Sequence, residues 1–160
     1  AKGLAWGAEL PCYGVSTLEA MARTVASPQA VVCAVMDARR GQVYNALCSK
    51  DAALQRLTED RASAMEELAQ ELVQYEGTKY LIGDGAALCY EMLKNQIPGL
   101  HLPPEPYRHQ RASGVALAAE ALALAGVPAT AAELVPNYLR LSQAERERLA
   151  RLQQEKGPNK

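Results

Sequence analysis

Residues 30–41 read Ala-Val-Val-Cys-Ala-Val-Met-Asp-Ala-Arg-Arg-Gly, an apolar run that ends in a charged turn. A continuous Val-rich stretch of this length suits a strand buried on both faces in the middle of a sheet. Asp37-Ala38-Arg39-Arg40-Gly41 then makes a tight polar turn. Beyond it the chain alternates, with Val43, Asn45 and Leu47 on one face and Tyr44, Ala46 and Cys48 on the other. Two strands joined by a short polar loop containing glycine form a β-hairpin.

Upstream, Leu4, Ala5 and Ala8 outline a short amphipathic helix that Pro11 ends, and Cys12-Tyr13-Gly14-Val15 reads as a brief strand. Ser16 with Glu19 is a capping box, and Leu18, Met21, Ala22 and Val25 share one helical face behind it. Ser27-Pro28-Gln29 connects this helix to the hairpin. Downstream, residues 53–58 fit a third strand or a helical turn equally well. Ser63 with Glu66 forms a second capping box, and Met65, Leu68, Ala69, Leu72 and Val73 follow the helical template.

A short strand at Lys79–Ile82 runs through Gly83-Asp84-Gly85 into a helix carrying Leu88, Cys89, Met92 and Leu93, which Pro98-Gly99 stops. Leu100-His101-Leu102 is a further candidate strand before a proline-rich loop. From Ala112 to Ala125 nearly every residue is Ala, Leu or Val, which predicts a helix buried all round. Residues 133–140 look extended, and Ser142 with Glu145 opens a charged terminal helix. A meander followed by alternating helices and strands is the order of a ribonuclease-H-like α/β fold.

The chain of 160 residues has 17 Lys+Arg against 18 Asp+Glu, a balance that argues against a broad polybasic nucleic-acid surface. Seven Tyr, one Trp and no Phe supply few stacking platforms for single strands. Cys12, Cys33, Cys48 and Cys89 contain no C-x-x-C spacing and sit in apolar stretches, which predicts buried, reduced thiols in a cytoplasmic protein. No apolar run approaches the roughly 18–20 residues of a membrane span.

Few residues carry chemistry. Gly83-Asp84-Gly85, between a strand and a helix, is suited to hold a phosphate on exposed N–H groups. Asp84 opposes an anion there, so a plain turn with Asp84 as N-cap is the simpler reading. Asp37 ends the central strand, but nothing in the sequence sets a second carboxylate beside it, and a turn-forming Asp is the simpler role. His101 and His109 lack the spacing of a helical metal pair. No nucleophile elbow or Walker-type phosphate loop is present.

Three stretches together resemble a known family. They are A-K-G-L-A-W-G-A-E-L-P-C-Y-G-V-S-T-L-E-A-M at 1–21, V-M-D-A-R-R-G-Q-V-Y at 35–44 and P-N-Y-L-R at 136–140. In this order they are similar to the TsaB (YeaZ) family, whose members serve threonylcarbamoyladenosine modification of tRNA. The resemblance implies an α/β, ribonuclease-H-like lobe of the actin/heat-shock-type ATPase superfold, with a mixed sheet and flanking helices. It implies a division into 1–29, a remnant of an N-terminal lobe and connector; 30–126, the C-terminal lobe; and 127–160, a terminal segment and helix. An opening strand like I-L-A-I-D-T-S and a G-x-F-T-G-L-R-I-G stretch, expected ahead of these residues, do not occur in this sequence.

TsaD, the catalytic paralogue, carries two metal-binding histidines at i and i+4 in a P-L-x-G-V-N-H-x-x-A-H stretch. Pro11 and Gly14-Val15-Ser16 keep that frame, while Thr17 and Met21 stand at the histidine positions. The resemblance therefore implies a non-catalytic subunit with no metal and no cofactor of its own. ATP or ADP would enter only in a complex with TsaD and TsaE, and tRNA only indirectly through that complex. A homodimer is a further expected assembly; no membrane contact is expected.

The residues expected to touch a partner or nucleotide are Asp37, Arg39, Arg40, Gly41, Gly83, Asp84, Gly85, Tyr138 and Arg140. A competing role for Tyr138 and Arg140 is to dock the C-terminal segment on the body. The rival from the enzyme class is a TsaD-like metal- or ATP-dependent hydrolase of glycoprotease type, and a weaker rival is a self-associating regulatory module.

Overall fold

The computed structural model describes residues 1–51, 53–139, 148 and 151. Strand β1 (Ala30–Asp37) lies inside a six-stranded mixed sheet, and every residue from Ala30 to Val35 is buried. It pairs antiparallel with β2 (Gln42–Lys50), from Ala30 opposite Lys50 to Asp37 opposite Val43. On its other side it runs parallel to β5 (Lys79–Ile82), which is parallel in turn to β6 (Leu100–His101). The order β3-β2-β1-β5-β6 follows, with β4 also on β2.

The period of two decides which layer each side chain enters. Val31, Cys33, Val35, Val43 and Leu47 join the cluster under α3 (Met65–Leu72) and α4 (Ala86–Leu93). Val32, Ala34, Ala46 and Cys48 face the opposite layer with Leu18, Met21 and Ala22 of α2 (Thr17–Arg23). Both faces of the hairpin are thus buried, as a continuous apolar run requires.

The third strand is real and longer than expected. β3 (Leu54–Arg56) and β4 (Arg61–Ala64) lie along successive parts of β2. Between them the N–H groups of Leu57 and Thr58 both reach the Leu47 carbonyl, at 2.8 and 3.2 Å. The pair behaves as one edge strand with an interruption, and its polar residues Gln55, Arg56 and Arg61 suit an edge.

Four local expectations are corrected. Ser63 does not cap α3, because it is an extended residue of β4 opposite Val43, and its hydroxyl accepts from Asn45 Nδ2 at 2.7 Å. The helix starts after Ala64, whose N–H donates to the Glu67 carboxylate at 3.3 Å. Asp84 is not the N-cap of α4; Gly85 occupies that position without a side-chain cap. Cys12–Val15 forms no strand, since no described segment pairs with it. Helix α5 (Ala112–Leu124) is not buried all round: it packs on α2 through Gly114 and Ala118 and leaves Leu117 and Leu124 exposed.

Only half of the Ser16–Glu19 box forms: Ser16 Oγ accepts the Glu19 N–H at 3.1 Å, while the Glu19 carboxylate accepts from Arg23 and Arg56. At the other end of α2 the Lys50 ammonium donates to the carbonyls of Arg23 and Val25, a cation where the helix dipole is negative. Helix α1 (Lys2–Gly7) also forms. The terminal helix predicted from Ser142 and Glu145 lies outside the described residues.

Gly83 has φ +107°, and a Cβ there would stand 2.0 Å from the Val35 carbonyl oxygen. Gly83→Ala should therefore cost roughly 3 kcal/mol from backbone strain and overlap combined. Urea denaturation of the variant against the parent chain measures it, and a change below about 1 kcal/mol would contradict this close approach.

Candidate functional site

The β1–β5 pairing ends both parallel strands at one edge, where α/β sheets place their ligands. Two of the turns singled out by sequence meet there. Gly85 N–H donates to the Val35 carbonyl at 3.3 Å, and a Cβ on Gly85 would be 3.0 Å from the Asp37 nitrogen. Gly83 N–H donates to the Arg108 carbonyl at 2.7 Å, so the loop before α5 crosses the same edge.

Asp37 is occupied by its own turn. Its Oδ1 accepts the Arg39 N–H at 2.7 Å, and the Arg39 guanidinium lies 3.8 Å from Oδ2. This is the turn-forming role rather than that of a free carboxylate. Arg39 and Arg40 both have positive φ, 66° and 57°, before Gly41 at 72°. Hairpin turns favour this conformation, but usually with Asn or Gly, so two arginines here are held in a costly backbone. Both are exposed, as is Asp84.

A cleft of about 820 Å³ opens beside this edge. Its floor includes Met36 and Tyr44, opposite each other in the hairpin. Tyr13 to Leu18 form one wall and Leu134 to Leu139 the other. Tyr138 lines this cleft and is 83% exposed, so it does not dock the C-terminal segment. Lys2 and Leu134 do that instead: the Lys2 ammonium donates to the carbonyls of Ala132 and Leu134 at 3.3 and 2.8 Å. Arg140 lies outside the described residues. Lys2, Tyr13, Tyr44 and Leu134 carried no signal as site residues, because their neighbourhood joins three stretches that lie far apart along the chain.

Thr17 opens α2 at the cleft, and Met21 is 3% exposed among Leu18, Ala22, Val32, Ala34 and Ile82. A buried thioether in an apolar cluster and a threonine hydroxyl do not fit a catalytic metal ion. Among the described residues, no group of three or more His, Cys, Asp or Glu is placed to hold one. Ser16 is committed to its cap, and His101 lies 5.8 Å from the Tyr80 ring on the exposed surface.

Cys33, Cys48 and Cys89 are buried and free, while Cys12 is half-buried. Burial pushes the Cys48 thiol up to about 11. Burial, aided by the Asp37 carboxylate, does the same to Cys89, up to about 11, and burial also raises Cys33. Thiolate is the reactive form, so these three thiols are quiet at neutral pH.

A mixed sheet in this order, helices on both faces and a turn-lined edge where β1 and β5 end together define a ribonuclease-H-like lobe of the actin/heat-shock ATPase type. A family model described as "TsaD: tRNA N6-adenosine threonylcarbamoyltransferase" matches residues 1–155, and the chain belongs to that family. Within it the chain is similar to TsaB/YeaZ proteins. The tRNA threonylcarbamoyladenosine biosynthesis protein TsaB of Bacillus subtilis (strain 168) is 29% identical over 147 residues, covering 91% of this chain. The chain spans 62% of that relative's length.

Two solved structures from Pseudomonas aeruginosa share the fold. An uncharacterized protein with similarity to peptidase YEAZ aligns with TM-score 0.68 and 22% identity over 87% of this chain and 63% of its own. YeaZ aligns with TM-score 0.66 and 20% identity over 86% of this chain and 64% of its own. No helix among the described residues is long and apolar enough to cross a membrane.

Two outcomes follow from the thiols. A disulfide reagent at pH 8 should label Cys12 alone within minutes, and all four cysteines only in denaturant; fast native labelling of a second thiol would contradict their burial. Because the folded-state values of Cys48 and Cys89 are raised from 9.0 to about 11, the folded chain holds these protons more tightly than the unfolded one. Their stabilisation is full below the unfolded value and is lost as pH rises from 9.0 towards about 11. The urea midpoint should therefore fall across that window, and Cys48→Ala and Cys89→Ala together should flatten the fall.

Proposed function

We propose that this chain serves threonylcarbamoylation of adenosine 37 in ANN-decoding tRNAs as a non-catalytic TsaB-type subunit that binds and supports TsaD. The observation that carries the reading is Met21, sealed in the core on the helix face where the resemblance puts metal-binding histidines in TsaD. Packing stands there in place of coordination. Family membership and the similarity to a B. subtilis protein named for this modification support the same pathway.

On this reading the chain contributes shape rather than catalysis. Residues 30–126 form the C-terminal lobe, 1–29 belong with an N-terminal lobe, and 127–160 make the terminal segment. TsaD and TsaE are its protein partners, and self-association as a homodimer is an alternative assembly. ATP or ADP binds in the complex, the tRNA is reached through TsaD, and the site of action is the cytoplasm. Asp37, the exposed turn Arg39–Gly41, the Gly83–Gly85 turn, Tyr138 and Arg140 are the residues assigned to partner or nucleotide contact.

The test is reconstitution. The chain and the longer B. subtilis TsaB, as a control, are each co-purified with TsaD and assayed with TsaE, ATP, threonine, bicarbonate, the enzyme that forms threonylcarbamoyl-adenylate and an ANN-decoding tRNA. Stable association and a rise in modified tRNA are expected. No association, with modification independent of the chain, would remove the assignment. The hydrolase rival requires stoichiometric bound metal by elemental analysis, or ATP turnover by the chain alone that Asp37→Asn abolishes.

A further inference from the structure

Residues 132–139, of which 134–139 line the cleft, are held by few bonds. Their polar hold is at one end, where the Lys2 ammonium donates to the carbonyls of Ala132 and Leu134. Leu134 adds an apolar hold at the same end, over Gly14, where a Cβ would come within 2.7 Å of Leu134 Cδ1, and Leu139 at the far end is half-buried. From Val135 to Leu139 the backbone makes no hydrogen bond to the described residues. Val135 is 73% exposed although it borders the cleft.

The facing wall is equally unpaired. The backbone of Cys12 to Val15 makes no hydrogen bond among the described residues, so no ladder ties the two walls together. Apart from the Lys2 contacts and the local Thr130–Glu133 bonds, no hydrogen bond among the described residues holds residues 132–139. Segments with few contacts and solvent-facing backbone occupy the low-stability end of a protein's local openings.

We propose that residues 132–139 are a movable strap, latched by Lys2 and by Leu134 over Gly14, and that its opening controls access to the cleft over Met36 and Tyr44. The latch joins α1 to the C-terminal segment, so any binding event that draws the Lys2 ammonium away also releases the strap. Closed, the strap shields the half-buried Tyr13 and Tyr44. Open, it exposes an apolar floor flanked by unpaired backbone donors and acceptors.

Hydroxyl-radical footprinting of Tyr13, Met36 and Tyr44, with hydrogen exchange of 132–139, reads the opening directly in the whole chain. Lys2→Met keeps the side-chain length and removes the donors. Loss of the two exposed charge-assisted bonds should raise both signals about two- to tenfold, with β1 protection unchanged. Gly14→Cys with Leu134→Cys, in a Cys12→Ser background, should form a disulfide and bring both signals below those of the parent chain.

Unchanged footprinting in both variants would overturn the strap, and so would failure of the disulfide to form. A parallel loss of β1 protection in Lys2→Met would also overturn it, because the contact would then support the whole fold rather than a local opening.

Discussion

The close approach of β5 to β1 at their shared C-terminal edge is the constraint on which the rest of this molecule depends. Parallel pairing from Val31–Lys79 to Ala34–Ile82 brings the chain out of β5 directly against the Val35 carbonyl. Only a glycine in left-handed backbone passes there, and Met21 of α2 closes the space from the other layer, its Cε 3.3 Å from where a Gly83 Cβ would stand. Strand, turn and helix are thus fixed against one another at one point. The turn at Asp37, the start of α4 and the cleft floor at Met36 all inherit their positions from it.

Polar ties orient the layers around this apolar centre. Asn45 is fully buried on β2, yet its amide donates to Ser63 Oγ and its oxygen accepts from Arg61, which pairs in turn with Glu71 of α3. On the opposite layer Glu19 accepts from Arg23 on its own helix and lies 3.4 Å from Arg56 of β3, which also pairs with Asp60. A buried amide is tolerated because each of its groups has a partner. These networks bind the interrupted edge strand to a helix on each face, which is why that strand stays in place despite its break.

On the functional reading proposed above, the history of α2 is written in its burial. A helix start framed by Pro11, Gly14 and Ser16 keeps the backbone of a metal-binding stretch, and its Ser16 cap forms. Its side chains serve packing. Leu18, Met21 and Ala22 are buried against the sheet, and α5 covers the helix from outside through Gly114, whose missing side chain lets the Ala20 carbonyl approach. A site that needed open coordination positions has no room under that cover.

Much of this was legible in one dimension. The Val-rich run at 30–36, the alternation at 43–48 and the heptad-like face of Met65, Leu68, Ala69 and Leu72 report local periods that any buried strand or helix must show. The Ser16 cap is equally local, a side chain answering an N–H three residues on. What failed were readings that need a partner: Cys12–Val15 has strand composition but no strand beside it, and Ser63 looks like a cap until β2 claims its backbone. The apolar α5 shows composition but not which side is covered; Gly114 and Ala118 are buried, while Leu117 and Leu124 face out. Most elements, their order and the residue types at the turns follow from short-range sterics and hydrophobic period, and so can be read along the chain. That Asp37 and Gly83–Gly85 meet, and that Lys2 reaches Leu134, is set by packing in three dimensions, because proximity between distant segments leaves no spacing to read.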